Sequence, residues 1–238
     1  MLKMAISGCM GRMGQRIAHL AQQDPDMQIT TLLERDGYDG PGEWKGIEIQ
    51  TDPETIKDCD VLIEFTVPQG TLDHLKVCRE HGVRMVIGTT GITPEQVQEI
   101  EAASREIGIV YSANMSIGVN IVFKMLQILA GTAPDDYRVT MSEAHHVHKK
   151  DAPSGTAKML KNIVEKNSGH TVGDIQSIRE GEIIGDHSVV FESEVDRITI
   201  AHHAKTRDIF VVGALKAAKF LSDKPAGLFD MQDVLGLT

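Results

Sequence analysis

The sequence predicts an α/β protein with two domains, a parallel-sheet domain and a second, α+β domain built on a mixed or antiparallel sheet. The first observation is length, because 238 residues exceed the usual size of a single domain. The second is the alternation of short apolar segments with helical ones in the first half of the chain, as in a parallel sheet covered on both faces. The third is a later run of strand-like segments without long helices between them.

The first domain is predicted from short apolar segments that alternate with amphipathic ones. The predicted strands are Leu2–Ser7, Gln28–Leu33, Asp60–Phe65, Arg84–Gly88 and Ile109–Ser112. The predicted helices are Gly11–Asp24, Gln69–His81 and a segment from Thr93 to about Ile107. This alternation implies right-handed crossovers and therefore parallel strands. We interpret the Gly- and Pro-rich stretch at 37–46, around Trp44, as a surface loop.

The second domain is predicted to begin near Asn114, where the alternation ends. Its predicted helices are Ser116–Ala130 and Ser154–Lys166, and its predicted strands are Tyr137–Ala144, Ile175–Arg179, Ser188–Glu192 and Arg197–His202. A last helix, Ile209–Leu221, is expected to pack back on the first domain. We therefore expect one domain at 1–113 plus 208–238 and the other at 114–207.

The composition argues against several classes of protein. A formal net charge of −10 would repel a polyanion, so we expect no nucleic-acid partner. No apolar run reaches the ~20 residues that span a bilayer, and we expect no membrane partner and no signal peptide. Cys9, Cys59 and Cys78 have no Cys-x-x-Cys spacing, which predicts neither a disulfide framework nor a zinc knuckle. A reducing, cytoplasmic setting fits these cysteines best.

A glycine-rich motif, Gly8-Cys9-Met10-Gly11-Arg12-Met13-Gly14, lies between the first predicted strand and the first predicted helix. Glycines let the backbone approach a pyrophosphate, and a helix N-terminus attracts its charge, as in Rossmann-type domains. Glu34 lies 20 residues after Gly14, where an acid binds the ribose of a dinucleotide. Arg35 can pair with a 2′-phosphate, so NADH and NADPH are both candidate cofactors. The spacing departs from the usual Gly-x-Gly-x-x-Gly, and the alternative is a glycine-rich turn that binds nothing.

Two further strand ends belong with this motif. They are Gly88-Thr89-Thr90-Gly91 and Ser112-Ala113-Asn114-Met115. Ligands of open α/β sheets lie beyond the carboxyl ends of the strands, so both segments are candidates to line a nicotinamide. Phe65, at another strand end, is either a cofactor contact or a core residue. The alternative for the whole set is ordinary short turns.

The densest cluster of reactive side chains is Glu143-Ala144-His145-His146-Val147-His148-Lys149-Lys150-Asp151-Ala152-Pro153-Ser154-Gly155-Thr156. His145 is a candidate proton donor near neutral pH, and Lys149 a candidate source of positive charge or of a second proton. Ser154-Gly155-Thr156 begins a helix that can hold a carboxylate or phosphate. A metal site is one alternative, but adjacent histidines on an extended chain point apart, and we expect no metal. A solvated loop is the other.

Together these motifs resemble the 4-hydroxy-tetrahydrodipicolinate reductase (dihydrodipicolinate reductase) family of bacterial lysine and diaminopimelate biosynthesis. The resemblance runs nearly end to end. It also includes Ala113-Asn114-Met115-Ser116-Ile117-Gly118-Val119-Asn120 and Gly227-Leu228-Phe229-Asp230-Met231. The unusual glycine spacing is the form that this family uses.

The resemblance implies an NAD(P)H-dependent reduction of 4-hydroxy-tetrahydrodipicolinate to tetrahydrodipicolinate, with hydride delivered to C4 and a proton from His145. It implies that Lys149 is catalytic, that His146 contacts the substrate, a small cyclic dicarboxylate, and that Gly155 and Thr156 bind its carboxylate. It implies that Gly8–Met13 holds the pyrophosphate, Glu34 the ribose and Arg35 a 2′-phosphate, with 88–90 and 112–115 beside the nicotinamide. A homotetramer joined through the second domain is also implied.

Two other functions are open from the residues alone. One is an NAD(P)-dependent dehydrogenase of another small amino- or oxo-acid, because fold does not determine substrate. The other is a regulatory protein that senses a nucleotide without chemistry. The histidine–lysine cluster argues against the second, since a sensor has no use for a proton donor.

Overall fold

The computed structural model describes residues 1–237, which form two compact units. Unit 1 comprises Met1–Met115 and Phe210–Gly236, and unit 2 comprises Ser116–Ile209. Within residues 1–237, no helix combines the length and the apolar character needed to cross a membrane.

Unit 1 is built on an eight-stranded sheet. In chain order its strands are β1 (Leu2–Ser7), β2 (Met27–Leu33), β3 (Glu43–Trp44), β4 (Ile47–Gln50), β5 (Val61–Glu64), β6 (Arg84–Ile87), β7 (Gly108–Tyr111) and, after four strands of unit 2, β12 (Gly227–Phe229). Across the sheet the order is β12-β7-β6-β5-β1-β2-β4-β3, with β3 and β4 antiparallel at the edge and the other neighbours parallel. The chain winds outward in both directions from β1, which lies between β2 and β5. Ligands of such sheets bind outside the carboxyl ends of the strands at this reversal point.

The helices of unit 1 are α1 (Arg12–Ala21), α2 (Pro68–His81), α3 (Pro94–Ala103), α7 (Met231–Leu235) and α6 (Asp208–Leu221), which belongs to unit 1 from Phe210 onward. Proline begins α2 and α3, a position where its missing N–H costs nothing. Val61–Ile63 and Met85–Ile87 are wholly buried, as expected of central parallel strands covered on both faces.

The structure corrects three of the predicted segments in this unit. Part of the expected loop at 37–46 is strand, because Glu43–Trp44 pairs with Ile47–Gln50 across a turn in which Lys45 and Gly46 both have positive φ. The first and third helices end earlier than predicted, at Ala21 and Ala103. Beyond both helix ends, backbone N–H groups bond to the carbonyl three residues earlier instead of four, as in a 3₁₀ turn. Examples are the bonds from Asp24 N to Ala21 O and from Glu106 N to Ala103 O.

Unit 2 is built on a four-stranded mixed sheet. Its strands are β8 (Arg138–His145), β9 (Gln176–Arg179), β10 (Asp186–Glu192) and β11 (Arg197–His203), in the order β11-β10-β8-β9, with β8 and β9 parallel and the other pairs antiparallel. Two helices, α4 (Ile117–Thr132) and α5 (Gly155–Asn167), form a core with one face of the sheet. The predicted fold class is confirmed: α/β, with a Rossmann-type parallel sheet and a second α+β part on a mixed sheet.

Alternation along β8 determines which of its side chains reach this core. Val139, Met141, Glu143 and His145 are buried, whereas the residues between them are more exposed. The strand therefore carries a carboxylate and an imidazole onto the face that it otherwise fills with apolar side chains.

Candidate active site

The glycine-rich loop connects β1 to α1 at the carboxyl edge of the unit 1 sheet. Gly8 has a φ of +58°, which favours glycine, and a Cβ there would lie 2.9 Å from Cγ2 of Thr66. A Cβ on Gly14 would overlap the carbonyl of Gly8, so α1 begins directly against the loop. The N-cap, Gly11, contributes no side-chain hydrogen bond to the first turn of α1. Space without side chains and uncapped N–H groups are what a pyrophosphate requires.

Glu34 and Arg35 follow β2 at the same edge of the sheet. The Oε1 atom of Glu34 accepts a hydrogen bond of 2.8 Å from the backbone N–H of Met10. The side chains of Arg12 and Arg35 are exposed. An acceptor for ribose hydroxyls and a cation for an added phosphate are therefore adjacent to the glycine-rich loop.

The segments that follow β6 and β7, at 88–91 and 112–115, lie at the same carboxyl edge of the unit 1 sheet. The ring of Phe65 lies against Gly88 so closely that a side chain at 88 would overlap it, which makes Phe65 a packing residue here. Thr89 is buried and its hydroxyl lies 2.9 Å from that of Thr71, whereas Thr90 is exposed. In the following segment, Ser112 Oγ donates to Asn114 O at 3.0 Å. Ala113 is exposed, and Asn114 and Met115 are buried.

Glu64 is a buried carboxylate that the sequence analysis did not single out. It ends β5 and is 0% exposed. It accepts hydrogen bonds from Ser7 Oγ at 2.6 Å and from Thr66 N at 3.0 Å, and it contacts His74 Nδ1 at 2.6 Å. Ser7 precedes Gly8 in the chain, and the side chain of Thr66 packs against Gly8. Glu64 therefore holds two residues that contact the start of the glycine-rich loop. The sequence feature that could have identified Glu64 is an acidic residue at the end of an otherwise apolar strand, Val61–Glu64.

In unit 2, His145 is the last residue of β8 and its side chain is 10% exposed. Its Nδ1 atom lies 2.5 Å from Oε2 of Glu143, whose side chain is 0% exposed. Arg179, at the end of β9, donates to both carboxylate oxygens of Glu143, Nη1 to Oε2 at 2.9 Å and Nη2 to Oε1 at 2.8 Å. The Nε2 atom of His145 faces Gly185, where a Cβ would lie only 3.1 Å away.

These contacts shift the pKa values of both groups. Burial would raise the pKa of Glu143, but hydrogen bonds from Arg179 and His145 outweigh it and lower that pKa to about 2. Burial lowers the pKa of His145, and the carboxylate of Glu143 offsets part of this effect. The carboxylate is therefore ionised at neutral pH and favours the imidazolium form of His145.

Lys149 lies four residues beyond His145 in the loop that follows β8. Its Nζ donates to Oδ1 of Asp151 at 2.8 Å, and this contact lowers the pKa of Asp151. Arg179 Nη2 donates to the carbonyl of the same Asp151 at 2.6 Å. The loop that carries Lys149 is therefore tied to the guanidinium that binds Glu143.

The N-terminus of α5 adjoins this group. Ser154 Oγ accepts from Ala157 N at 3.2 Å as the N-cap, and Ser154 N donates to Oε1 of Glu143 at 3.2 Å. Gly155 and Thr156 form the first turn, and a Cβ on Gly155 would meet nothing within 4 Å. The structure thus brings His145, Lys149 and a helix N-terminus together, which suits a carboxylate ligand.

The other two histidines of the cluster lie near each other, with ring centroids 6.0 Å apart. His146 is half-buried, with Nε2 3.4 Å from Nη2 of Arg207, and His148 is exposed. His187 on β10, which the sequence analysis left unassigned, lies with its ring centroid 5.2 Å from that of His145 and its Nε2 3.0 Å from Ser154 Oγ. Burial, with repulsion from His145, lowers the pKa of His187 to about 4.

Two family descriptions match almost the whole chain. "Dihydrodipicolinate reductase, N-terminus" matches residues 2–115, and "Dihydrodipicolinate reductase, C-terminus" matches residues 118–235.

Curated relatives agree over the full length. A protein of Nitrosospira multiformis is 43% identical over 99% of this chain and 98% of its own. One of Nitrosomonas europaea is 40% identical with the same coverage. Both are named 4-hydroxy-tetrahydrodipicolinate reductase, an oxidoreductase.

Solved structures show the same fold. A dihydrodipicolinate reductase from Paenisporosarcina sp. TG-14, solved with bound dipicolinate, has a TM-score of 0.85, 24% identity and 98% coverage of both chains. An aspartate dehydrogenase from Thermotoga maritima has a TM-score of 0.58 and 12% identity, over 94% of this chain and 98% of that one. The family descriptions and the full-length relatives confirm the resemblance: the chain belongs to the dihydrodipicolinate reductase family.

Proposed function

We propose that this chain catalyses the NAD(P)H-dependent reduction of 4-hydroxy-tetrahydrodipicolinate to tetrahydrodipicolinate, a step of lysine and diaminopimelate biosynthesis. The observation that carries the proposal is the grouping of His145, Lys149 and the N-terminus of α5 in a member of this family. This grouping offers a proton donor, a cation and an anion-binding helix end, the three groups that reduction of a cyclic dicarboxylate needs.

Unit 1 is the cofactor-binding part in this proposal. A nicotinamide cofactor follows from the family. The segment Gly8–Met13 wraps the pyrophosphate, and the first turn of α1 supplies the N–H groups, because those of Cys9, Met10 and Gly11 donate within the protein. Glu34 accepts from the adenosine ribose. The segments 88–90 and 112–115 line the nicotinamide side. When bound, the reduced nicotinamide supplies a hydride to C4 of the substrate.

Unit 2 binds the substrate and supplies the proton. Ser154, Gly155 and Thr156 hold one carboxylate at the start of α5, and His146 contacts the substrate. The substrate first loses its 4-hydroxyl and a hydrogen of C3 as water, which leaves a C3=C4 double bond. Lys149 stabilises the negative charge that develops when this bond accepts hydride at C4. His145 then donates its Nε2 proton to C3, which completes the reduction.

Glu34 and Arg35 act in opposite directions on cofactor choice. A carboxylate beside the ribose favours NADH, whereas an exposed guanidinium next to it favours the 2′-phosphate of NADPH. We propose that the site accepts either cofactor.

The assembly proposed for the chain is a homotetramer joined through the sheet of unit 2. One face of this sheet packs on α4 and α5, and the middle of the opposite face carries small or apolar residues, with ion pairs of Glu192 and Asp186 at its two ends. They include the exposed Thr140, Ile178, Thr199 and Ala201. Sedimentation equilibrium tests this assembly, and a monomer at micromolar concentration would contradict it.

We also propose that the enzyme works in the cytoplasm. Cys9, Cys59 and Cys78 are buried and form no disulfide, as expected of thiols in a reducing compartment.

The reaction is tested by following oxidation of NADH and of NADPH with 4-hydroxy-tetrahydrodipicolinate as substrate. Aspartate semialdehyde and other small amino- or oxo-acids serve as competitors, because a dehydrogenase of one of them is the alternative. We expect turnover with the cyclic dicarboxylate at a kcat/KM at least ~10²-fold above that for any competitor. Cofactor binding without turnover, or preference for an open-chain acid, would contradict the proposal.

A further inference from the structure

Three segments of unit 2 meet on one buried carboxylate. The Oε2 atom of Glu143 faces Nδ1 of His145 at 2.5 Å, and Oε1 accepts from the backbone N–H of Ser154 at 3.2 Å. Arg179 binds both oxygens and also donates to Asp151 O at 2.6 Å. Glu143 and Arg179 therefore connect the imidazole, the loop that carries Lys149 and the start of α5.

We infer that Glu143 and Arg179 are positioning residues that hold His145 with its Nδ1 protonated, so that Nε2 is the atom that delivers the proton. This inference rests on the proposed function. Neither residue needs to touch the substrate, because both act through His145 and through the segments on either side of it.

The direction of the hydrogen bond follows from the chemistry of the partners. An ionised carboxylate has no proton to donate, so Nδ1 must carry the hydrogen of the contact with Glu143. In the imidazolium form His145 also carries a proton on Nε2. Transfer of that proton to C3 leaves a neutral imidazole with its hydrogen on Nδ1, still bonded to Glu143. The ring keeps its orientation through the step, and a proton from water then restores Nε2.

Arg179 keeps the carboxylate available for this role. A bidentate guanidinium holds both oxygens in one plane, a geometry that Lys cannot reproduce. Because Arg179 keeps Glu143 ionised, the proton on Nδ1 stays with the ring. The positive charges of Lys149 and Arg179 disfavour the imidazolium form of His145, whereas Glu143 favours it. The ring of His187 also packs against His145, and repulsion from His145 lowers the pKa of His187.

A second Glu–Arg contact at the opposite end of the same sheet provides a control. Glu192 accepts hydrogen bonds from Arg138 at 3.1 Å and from Arg197 at 2.9 Å. It is paired with Arg138 in the register of β8 and β10, six residues along β10 from Asp186. This site therefore has Glu–Arg ion pairs without a histidine, and it is more exposed than that of Glu143.

The first experiment compares Glu143→Gln, Arg179→Lys and the control Glu192→Gln in steady-state turnover. A general acid contributes roughly 10²–10⁴-fold, and residues that act through it cannot cost more than its removal. We expect Glu143→Gln to lower kcat by ~10–100-fold, Arg179→Lys by less and Glu192→Gln hardly at all. We expect the KM for substrate to change by less than ~3-fold in Glu143→Gln, because glutamine still accepts from Ser154 N.

The second experiment separates positioning from a merely structural role. In a His145→Gln background, Glu143→Gln should cost less than ~3-fold, since the group through which it acts is gone. In the wild type kcat falls as the pH rises through the pKa of His145. In Glu143→Gln this fall should move to lower pH, whereas it should not move in Glu192→Gln. Equal losses in both backgrounds, or an unmoved pH profile, would overturn the inference.

The third experiment leaves Glu143 and Arg179 unchanged. In protein labelled with ¹⁵N-histidine, with His145 assigned by difference from His145→Gln, we expect the neutral ring to be protonated at Nδ1. Protonation at Nε2 alone would overturn the inference even if Glu143→Gln failed to fold. If the wild type reduced no cyclic dicarboxylate, the proposed function would fail, while this measurement would still decide the geometry.

Discussion

Glu34 and Met10 join the end of β2 to the glycine-rich loop, through the hydrogen bond from Met10 N to Glu34 Oε1 at 2.8 Å. The carboxylate is thereby held beside the loop that we propose to bind the pyrophosphate. Its exposed neighbour Arg35 is the nearest cation in sequence to this acceptor.

This arrangement predicts opposite effects of two substitutions on cofactor affinity. Glu34→Gln should weaken NADH binding by ~10-fold and NADPH binding by less, because a charged acceptor for the ribose hydroxyls is lost. Arg35→Ala should weaken NADPH by ~10-fold and leave NADH almost unchanged. Isothermal titration calorimetry with both cofactors measures these values. Equal losses for the two cofactors in either variant would refute the assignment.

The roles proposed for His145 and Lys149 predict different kinetic losses. His145→Gln should lower kcat by roughly 10²–10⁴-fold, with NADH affinity unchanged, because it removes only the acid. Lys149→Ala should lower kcat and also raise the KM for substrate, since the cation acts in binding and in the transition state. Steady-state kinetics with direct NADH titration separates the two. Near-normal turnover of His145→Gln would exclude it as the proton donor.

The contacts of Glu64 predict that its replacement lowers both the stability of the protein and its affinity for the cofactor. Glu64→Met should lower the free energy of unfolding by ~2–4 kcal/mol, because the buried Ser7 and the partly buried Thr66 and His74 lose their acceptor. Denaturant unfolding measures this value, and NADH titration should show weaker binding. The control is Glu106→Met, which removes an exposed partner of Arg79 and should cost ~1 kcal/mol or less. Equal costs in the two variants would contradict the supporting role of Glu64.

The lowered pKa of His187 predicts that the protein loses stability in mild acid. Its pKa is lowered from 6.5 to about 4, so between these values the unfolded chain binds more protons than the folded one. The stability that the neutral ring contributes is complete above pH 6.5 and falls as the pH drops toward 4, by on the order of 3 kcal/mol. His187→Gln should remove most of this pH dependence, and the exposed His148→Gln should not. Thermal unfolding at a series of pH values measures it.

Local patterning predicted most elements of the fold. The strand Leu2–Ser7 was predicted and observed with the same limits, and the predicted starts at Gln69 and Thr93 lie within a residue of the observed starts of α2 and α3. These features depend on side-chain periodicity and on capping, which operate within one turn or one strand. The hairpin at Glu43–Gln50 was missed because strands of two and four residues carry too short a pattern.

The two-part architecture, the glycine-rich turn and the family could be predicted from the order of residues, because each depends on residues close together along the chain. The partners of His145 follow instead from packing between distant segments: Glu143 lies two residues away, but Arg179 is 36 residues from Glu143, and His187 lies on a third strand. β12 likewise pairs with β7 more than a hundred residues earlier. Neighbours in a sheet are chosen by the packing of the whole domain, which no local pattern encodes.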